Sequence, residues 1–288
     1  MAKHQETAQL MEQEAVAHLT YRMLVHCPGI AREARAGQFA MLQVREGTDP
    51  LLRRPFSFHR VLREAGAVEI LYRVVGRGTW LLSRMEPGAT LSLLGPLGNG
   101  FRLPETDAGP VFLVAGGIGI APIEELTVGL LEAAERGRVG ALHLFYGART
   151  DAELLKAERI SRPGVRIHWS TDDGSRGFRG NVIQCMERVE EEGIRPALVY
   201  GCGPLAMQVR LALWTLRRGV EAQLSLESLM ACGFGACLGC ALPAPNPEDP
   251  GSDRYLHVCK DGPIFPAGSI SWEKIRQQQI APSIFRCV

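Results

Sequence analysis

Residues 110–123 read PVFLVAGGIGIAPI, an apolar run that leads into glycines and then a proline. A run of this kind is typical of a strand buried on both faces of a parallel sheet. The glycines let a pyrophosphate approach the backbone, and Pro122 suits the first turn of a helix, where its missing N–H costs nothing. Because Pro122 replaces the last glycine of G-x-G-x-x-G, the loop by itself is equally compatible with a structural role.

Three more strand candidates follow toward the C-terminus, with helix-like segments between them. They are ALHLFYGA at 141–148, VRIHWSTDD at 165–173 and PALVYGCG at 196–203. This alternation predicts βαβ units and an α/β domain with a parallel sheet over residues 108–225.

Ligands of such sheets bind beyond the carboxyl ends of the strands. We therefore predict a nicotinamide nucleotide site at this edge, formed by Gly116, Gly117, Gly119, Gly203 and Pro204. Two neighbouring features remain open. Cys202 either lies near the nicotinamide or fills space as a small side chain, and Thr171-Asp172-Asp173-Gly174 is interpreted as a turn.

Toward the N-terminus, the sequence has short runs rich in β-branched, aromatic and aliphatic residues. They are FAMLQV at 39–44, AVEILYRVV at 67–75 and ATLSLLG at 89–95, and glycine- and proline-containing turns separate them. This spacing predicts a small antiparallel β-barrel over residues 17–104.

Two features of the predicted barrel suit a dinucleotide such as FAD. Arg54, in RPFSF at 54–58, offers a fork of donors to a phosphate, and Ser57 can hydrogen-bond a flavin nitrogen. About twenty residues later, GRGT at 76–79 opens a helix whose free N–H groups face a phosphate. RPFSF alone is a weak signal, since an exposed arginine beside an edge-strand proline is the more common explanation of such a stretch.

Four cysteines cluster in the remaining segment, 226–288. Their spacing, Cys232-x4-Cys237-x2-Cys240 and then Cys259, is that of plant-type [2Fe–2S] proteins. Gly233, Gly235 and Gly239 let the loop turn and let its N–H groups approach the sulfurs. The alternatives are zinc, which favours paired C-x2-C knuckles, and thiols without a ligand.

Composition limits the class of protein. Among 288 residues, 32 Lys and Arg balance 31 Asp and Glu, so the chain lacks the basic footprint of a nucleic-acid binder. The first twenty residues lack the apolar core of a secretory signal, and no apolar run is long enough to span a bilayer. We therefore expect a cytoplasmic protein without a membrane segment, in which Cys27, Cys185 and Cys287 are incidental thiols.

Together these motifs resemble the ferredoxin reductase superfamily and, more narrowly, the electron transfer subunits of bacterial dihydroorotate dehydrogenase B. The resemblance spans about residues 17–273, and the first sixteen residues match nothing recognisable. The motifs that carry it are RPFSF (54–58), LYRVVGRGT (71–79), GPLGNGF (95–101), VAGGIGIAPI (114–123), YGCGP (200–204), MACGFGACLGCALP (230–243) and HVCKDGPIFPAGSISW (257–272).

The resemblance implies one FAD, one [2Fe–2S] cluster, NAD and a partner. That partner is an FMN-containing catalytic subunit that oxidises dihydroorotate in pyrimidine biosynthesis, in a heterotetramer of two copies of each chain. It also implies that FAD contacts fall on Arg54, Pro55, Phe56, Ser57, Leu71, Tyr72, Arg73, Gly78 and Thr79. Many superfamily members have tyrosine at the Phe56 position, so one hydrogen bond to the ribose or phosphate is in doubt here.

The cofactors fit an electron-transfer chain, because a nicotinamide exchanges two electrons, an iron–sulfur cluster exchanges one, and FAD can do either. No Ser-His-Asp set or pair of carboxylates points to a separate catalytic activity. Two alternatives stand beside this hypothesis. One is the electron transfer subunit of a sulfhydrogenase or ferredoxin–NADP reductase complex, and the other is a redox-sensing metal-binding module without turnover.

Overall fold

Six antiparallel strands close into a barrel in the order β1-β2-β5-β4-β3-β6. The computed structural model describes residues 3–106, 108–249 and 252–280. The barrel strands are β1 His4–Ala17, β2 Thr20–His26, β3 Phe39–Gln43, β4 Arg54–Leu62, β5 Ala67–Arg73 and β6 Thr90–Leu97. Two short helices, α1 Pro28–Glu33 and α2 Arg77–Leu82, follow β2 and β5.

The barrel begins at His4, so the predicted start at residue 17 is too late. β1 pairs with β2 on one side and with β6 on the other, and this closes the barrel. Only a few of its side chains, such as Ala8 and Leu10, are buried, and polar residues alternate with them. Because β1 has so few apolar residues, its sequence shows no clear alternation that would predict a strand.

A seven-stranded sheet forms the second layer, in the order β10-β9-β8-β7-β11-β12-β15. Its strands are β7 Val111–Gly116, β8 Leu142–Ala148, β9 Val165–Thr171, β10 Phe178–Arg179, β11 Leu198–Cys202, β12 Glu221–Ser225 and β15 Ile264–Pro266. The helices between them are α3 Ile120–Glu135, α4 Ala157–Ile160, α5 Val182–Glu191 and α6 Leu205–Arg218. All pairings in this sheet are parallel except β12 with β15.

Strand order reverses around β7, which leads first to β8 on one side and later to β11 on the other. At such a switch point the loops after the neighbouring strands diverge and leave a crevice. The predicted glycine loops follow β7 and β11, so both lie at this crevice. The parallel-sheet prediction is confirmed, and nucleotide binding at this edge stays a prediction.

The C-terminal segment is joined to the rest of the molecule. It contains a hairpin of β13 Ala241–Pro245 and β14 Asp253–His257, then β15 and helix α7 Trp272–Ile280. β15 extends the sheet, and Trp272 and Ile275 enter the core that the sheet shares with the cluster loop. The predicted boundary between residues 225 and 226 therefore separates two groups of sequence motifs, but the segments on its two sides pack into one core. Cys287 lies outside the described residues.

None of the helices in the described ranges combines the length and the apolar character that crossing a membrane requires.

Candidate functional site

A cavity of about 340 Å³, here named the barrel cavity, lies between the barrel and the start of α3. Every residue predicted to contact FAD lines it except Gly78. Residues from outside the barrel also line it, notably Ile118, Ala121, Pro122, Leu226, Glu227, Ser228, Met230 and Pro263. A ligand in this cavity would thus touch the barrel, the sheet domain and the C-terminal segment together.

Gly78 does not line the cavity itself, but it lies next to Arg54, which does. A Cβ placed on Gly78 would lie 2.6 Å from Nε of Arg54, so only glycine lets the guanidinium pack against the first turn of α2. Arg54 and the backbone of this turn therefore form one polar surface beside the cavity. The pair suits a phosphate, because a fork of charged donors and free helix N–H groups both favour anions.

Two predicted FAD contacts have hydroxyls that the protein already uses. The Thr79 hydroxyl accepts from the amides of Val75 and Gly76, at 2.9 and 3.2 Å, and donates to the Gly76 carbonyl. Its single donor and two acceptor positions are thereby filled. The Tyr72 hydroxyl donates to Gln13 at 3.0 Å. Both hydroxyls therefore stabilise the cavity wall. The Tyr72 ring and the backbone, rather than these hydroxyls, would contact a ligand.

A larger cavity of about 710 Å³, here named the sheet-edge cavity, covers the switch point. It is lined by all the residues predicted to bind the nicotinamide nucleotide, Gly116, Gly117, Gly119, Gly203 and Pro204. The two cavities share wall residues, namely Arg73, Ile118, Leu226, Glu227 and Ser228. A ligand in one cavity could therefore touch a ligand in the other.

Two glycines of the sheet-edge cavity are required by close packing, one against the loop after β11 and one against a side chain of helix α6. A Cβ on Gly119 would lie 2.2 Å from the carbonyl oxygen of Cys202. One on Gly116 would lie 2.7 Å from Sδ of Met207. Gly117 differs, since it has a φ of 53° and open space around its Cβ position. One side of this loop is therefore packed against the protein, at Gly116 and Gly119, and the side at Gly117 is open. Approach of a pyrophosphate requires such an open side.

The four clustered cysteines form two pairs. Sγ of Cys240 and Sγ of Cys259 are 3.3 Å apart and buried, and the amide of Cys237 donates to Sγ of Cys232 at 3.4 Å. Within the ranges that the structure describes, no three His, Cys, Asp or Glu side chains are placed to hold a single metal ion. Two pairs of thiolates suit a two-iron cluster, in which each iron takes two protein ligands.

Backbone N–H groups surround these sulfurs. Burial raises the pKa of Cys232, but hydrogen bonds from the amides of Cys237, Phe234 and Ala236 outweigh it and bring that pKa to about 6. A thiol with such a pKa is largely a thiolate at neutral pH, which is the form that binds metal. For Cys259, burial and then the Cys240 thiol raise the pKa, and a cation between them would remove that repulsion.

The cluster loop packs against the barrel. Gly233 has a φ of 82°, and a Cβ there would lie 2.4 Å from Cγ of Met41 on β3. Cys240 and Cys259 belong to the same apolar core as Phe39 and Met230, and both of these line the barrel cavity. The inner cysteine pair and that cavity thus adjoin the same apolar core.

The remaining described cysteines do not join the cluster. Cys27 and Cys185 are buried, and burial raises the pKa of each thiol. Cys202 is 2% exposed and lines neither cavity. Of its two interpretations, the space-filling one fits this position.

Comparison with known proteins identifies the family. A family model described as the iron-sulfur cluster binding domain of dihydroorotate dehydrogenase B matches residues 227–271, and an oxidoreductase NAD-binding domain matches 113–211. A relative from Desulforamulus reducens, named dihydroorotate dehydrogenase B (NAD(+)), electron transfer subunit, is 38% identical over 90% of this chain and 95% of its own length. The chain belongs to this family of electron transfer subunits.

A second electron transfer subunit of dihydroorotate dehydrogenase B, from Geobacillus thermodenitrificans, is also 38% identical, over 92% of this chain and 98% of the relative. Among solved structures, an NADH-dependent reduced ferredoxin-NADP oxidoreductase superposes with a TM-score of 0.82 at 26% identity, covering 96% of this chain and 94% of the other. A ferredoxin NADP+ reductase from Neisseria gonorrhoeae, at 20% identity and a TM-score of 0.60, covers 74% of this chain and 91% of its own and shares the fold.

Sequence reasoning missed several charged residues of the two cavities in this electron transfer subunit. Glu153 joins Arg73 to Arg149, and Asp172 and Glu227 line the sheet-edge cavity. Glu227 also lines the barrel cavity and has no hydrogen bond or ion pair to any residue in the described ranges. The one available signal was position, because Asp172 directly follows β9 and Glu227 closely follows β12.

Proposed function

We propose that this chain carries electrons between a dihydroorotate-oxidising catalytic subunit and NAD+ in pyrimidine biosynthesis, through a [2Fe–2S] cluster and FAD. Its family membership supports this function. The single observation that carries the route is the sequence of sites, from sheet-edge cavity to barrel cavity to cysteine pairs. The two cavities share wall residues, and the barrel cavity and the inner cysteine pair adjoin one apolar core.

FAD in the barrel cavity would exchange two electrons with a nicotinamide and single electrons with the cluster. The residues of this chain would position these groups and shield them. Arg54 and the first turn of α2 would hold the phosphates, while Phe56 and Tyr72 pack edge to face, with ring centroids 5.9 Å apart, in the cavity wall. The loops at Gly116–Gly119 and Gly203–Pro204 would hold the pyrophosphate of NAD at the adjoining edge.

The four clustered cysteines, Cys232, Cys237, Cys240 and Cys259, would hold the cluster, with the first pair nearer to solvent. Cys237 is exposed, and the apolar side chains of Phe234 and Leu238 beside it are 46% and 57% exposed. Apolar side chains exposed around a candidate cluster ligand fit a site of protein contact. We infer that a catalytic partner subunit docks here, that it contains FMN, and that the complex holds two copies of each chain.

The test separates the activity of this chain from that of the complex. With NADH and a dye as acceptor, the purified holoprotein should turn over, because both cavities are on this chain. With dihydroorotate alone it should be inactive, and adding the catalytic subunit should couple dihydroorotate oxidation to NAD+ reduction. Cys232→Ser should abolish coupling and spare much of the NADH–dye activity.

Two results would contradict the proposal. Oxidation of dihydroorotate by this chain alone would overturn the subunit assignment. Full coupling in a Cys232→Ser protein without iron would overturn the order of the sites. A colourless protein that binds one zinc and no flavin would instead support a metal-binding module.

A further inference from the structure

His59 lies where strand β4 has one residue more than the neighbouring strand β5. Phe58 pairs with Ile70 and Arg60 pairs with Glu69, so His59 has no pairing partner within the described strand β5 and forms a β-bulge. A bulge redirects a side chain from the regular strand pattern, and bulges are common beside active sites. The His59 side chain is therefore available for a contact outside the barrel.

That contact is with the first turn of helix α3. Nδ1 of His59 lies 3.3 Å from the carbonyl oxygen of Ala121, the second residue of the helix. Because a carbonyl oxygen can only accept, Nδ1 carries the hydrogen. His59 is 7% exposed, and burial lowers its pKa to about 4, so the ring is neutral at pH 7 and this N–H is its only one. His59 therefore donates a single hydrogen bond from the barrel to α3.

This hydrogen bond is not needed to pair the Ala121 carbonyl. In a regular helix that carbonyl already accepts from the amide four residues later, so the bond from His59 serves to fix where α3 begins relative to β4. One turn further along the helix, the Val61 amide donates to Oε2 of Glu125 at 3.0 Å, and Nε of Arg60 lies 3.4 Å from the same oxygen. Three consecutive residues of β4 thus hold the first two turns of α3.

Both of the joined elements contribute to the two cavities. Residues 54–57 of β4 line the barrel cavity, and so does Ala121. The turn before α3, Gly117–Gly119, lines the sheet-edge cavity. The contact between β4 and α3 therefore sets how far the predicted flavin-binding wall lies from the predicted nucleotide loop. Such a distance matters, because reacting atoms must approach to about 3–3.5 Å, and a misplacement of about 1 Å can slow a reaction by about a hundred-fold.

We propose that His59 is a positioning residue for hydride transfer between NADH and FAD. In that step a C–H bond of the dihydronicotinamide breaks, and its hydrogen and two electrons pass to FAD and leave NAD+. The Nδ1–H of His59 holds the first turn of α3, and with it the nucleotide loop, at the separation from β4 that brings the two ligands into contact. His59 lines neither cavity, so it acts through Ala121. The inference rests on the proposed function, because the separation matters only when both cavities hold their ligands.

Two substitutions of similar size and shape separate the hydrogen bond from the bulk of the ring. His59→Asn and His59→Leu leave similar space, but only asparagine keeps an N–H donor, on Nδ2, at the position of Nδ1. Both variants should fold, because the contacts to Glu125 remain and the Ala121 carbonyl keeps its helix partner. Glu14→Gln is a further control, since Glu14 pairs with Arg159 at 2.9 Å in a barrel–sheet contact that involves neither β4 nor α3.

The experiment mixes the purified holoprotein with NADH in the absence of oxygen and follows flavin reduction and the long-wavelength charge-transfer absorbance between flavin and nicotinamide. In His59→Leu, flavin reduction should slow by about ten-fold or more, and the charge-transfer absorbance should weaken. His59→Asn should restore most of both. ADP, which lacks the nicotinamide, should bind every variant with wild-type affinity in calorimetry, because the nucleotide loop itself is intact. Glu14→Gln should match wild type in each measurement.

Three results would overturn the role of His59. Flavin reduction at the wild-type rate in His59→Leu would mean that the contact does not set the separation. Equal slowing in His59→Asn and His59→Leu would mean that the volume of the ring matters and its hydrogen bond does not. Weaker ADP binding in His59→Leu would place the defect in the nucleotide loop itself. A different result tests the proposed function: if NADH does not reduce the flavin of the wild-type holoprotein, that function is itself wrong.

Discussion

Nη2 of Arg73, at the end of barrel strand β5, lies 2.9 Å from Oε1 of Glu153 in the sheet domain. The same carboxylate pairs with Arg149, and only 8% of the Glu153 side chain is exposed. Hydrogen bonds from Arg149 and Arg73 lower the pKa of Glu153 to about 2. This ion pair ties the barrel to the sheet at the wall that the two cavities share.

Glu153→Gln should therefore loosen the joint between the domains. It leaves Arg73 without its charged partner, and we expect the free energy of unfolding to fall by about 1–3 kcal/mol. Because the native pKa is depressed, the wild-type contribution is present above about pH 4.5 and is lost as pH falls toward 2. Urea unfolding at pH 7 and pH 3 measures the free energy of unfolding of both proteins. The difference between Glu153→Gln and wild type should be smaller at pH 3.

The control for that prediction is Asp151→Asn. Asp151 is in the same short turn but is about half exposed, and it pairs with Arg176 inside the sheet domain. Asp151→Asn should change the free energy of unfolding by less than about 1 kcal/mol. Equal effects of the two substitutions would mean that the Arg73–Glu153 pair is no more important than a surface pair.

Arg54→Ala should weaken FAD retention by about ten-fold or more, since a charge-assisted contact to phosphate contributes about 1.5–3 kcal/mol. Gly78→Ala should weaken it too, because the new Cβ would displace the Arg54 guanidinium. The measurement is the flavin released on dilution. Arg53→Ala is the comparison, since Arg53 hydrogen-bonds the Ser92 carbonyl at 2.7 Å and does not line the barrel cavity. Its flavin affinity should stay unchanged.

Cys259→Ser should lower iron well below the about two atoms per chain of an intact cluster. It removes one of the buried sulfurs that lie 3.3 Å apart. Iron and acid-labile sulfide analysis measures the effect. Cys185→Ala, at a buried thiol outside the cluster, should keep full iron content. Equal iron in the two variants would exclude Cys259 as a ligand.

Glu124 predicts a pH dependence of stability. Burial raises its pKa from 4.5 to about 7, against the opposing charges of Arg162 and Arg60. The native state therefore binds more protons than the unfolded state between these values, so the free energy of unfolding should fall as pH rises from about 4.5 to 7. Glu124→Gln should flatten this slope in urea titrations. Glu132→Gln, at an exposed position of the same helix, should leave the slope unchanged.

Local patterns in the sequence predicted much of the fold. The apolar run before Gly116 predicted a buried parallel strand, and the structure contains β7 Val111–Gly116 there. β1 was missed, since its buried residues are too few to form a pattern. β15 was missed because it is three residues long, and pairing with β12 rather than its own sequence makes it a strand.

By itself, the sequence determined those parts of the site whose chemistry depends on neighbours along the chain. Cysteines separated by four and two residues must share one loop, and glycines between a strand and a helix must form a tight turn. Only the tertiary structure decided which distant charges meet. Glu153 reaches Arg73 across eighty positions, and Asp172 rather than Asp173 lines the cavity. Such pairings depend on strand order and on the direction in which each side chain leaves its strand end, and these are set by packing of the whole domain.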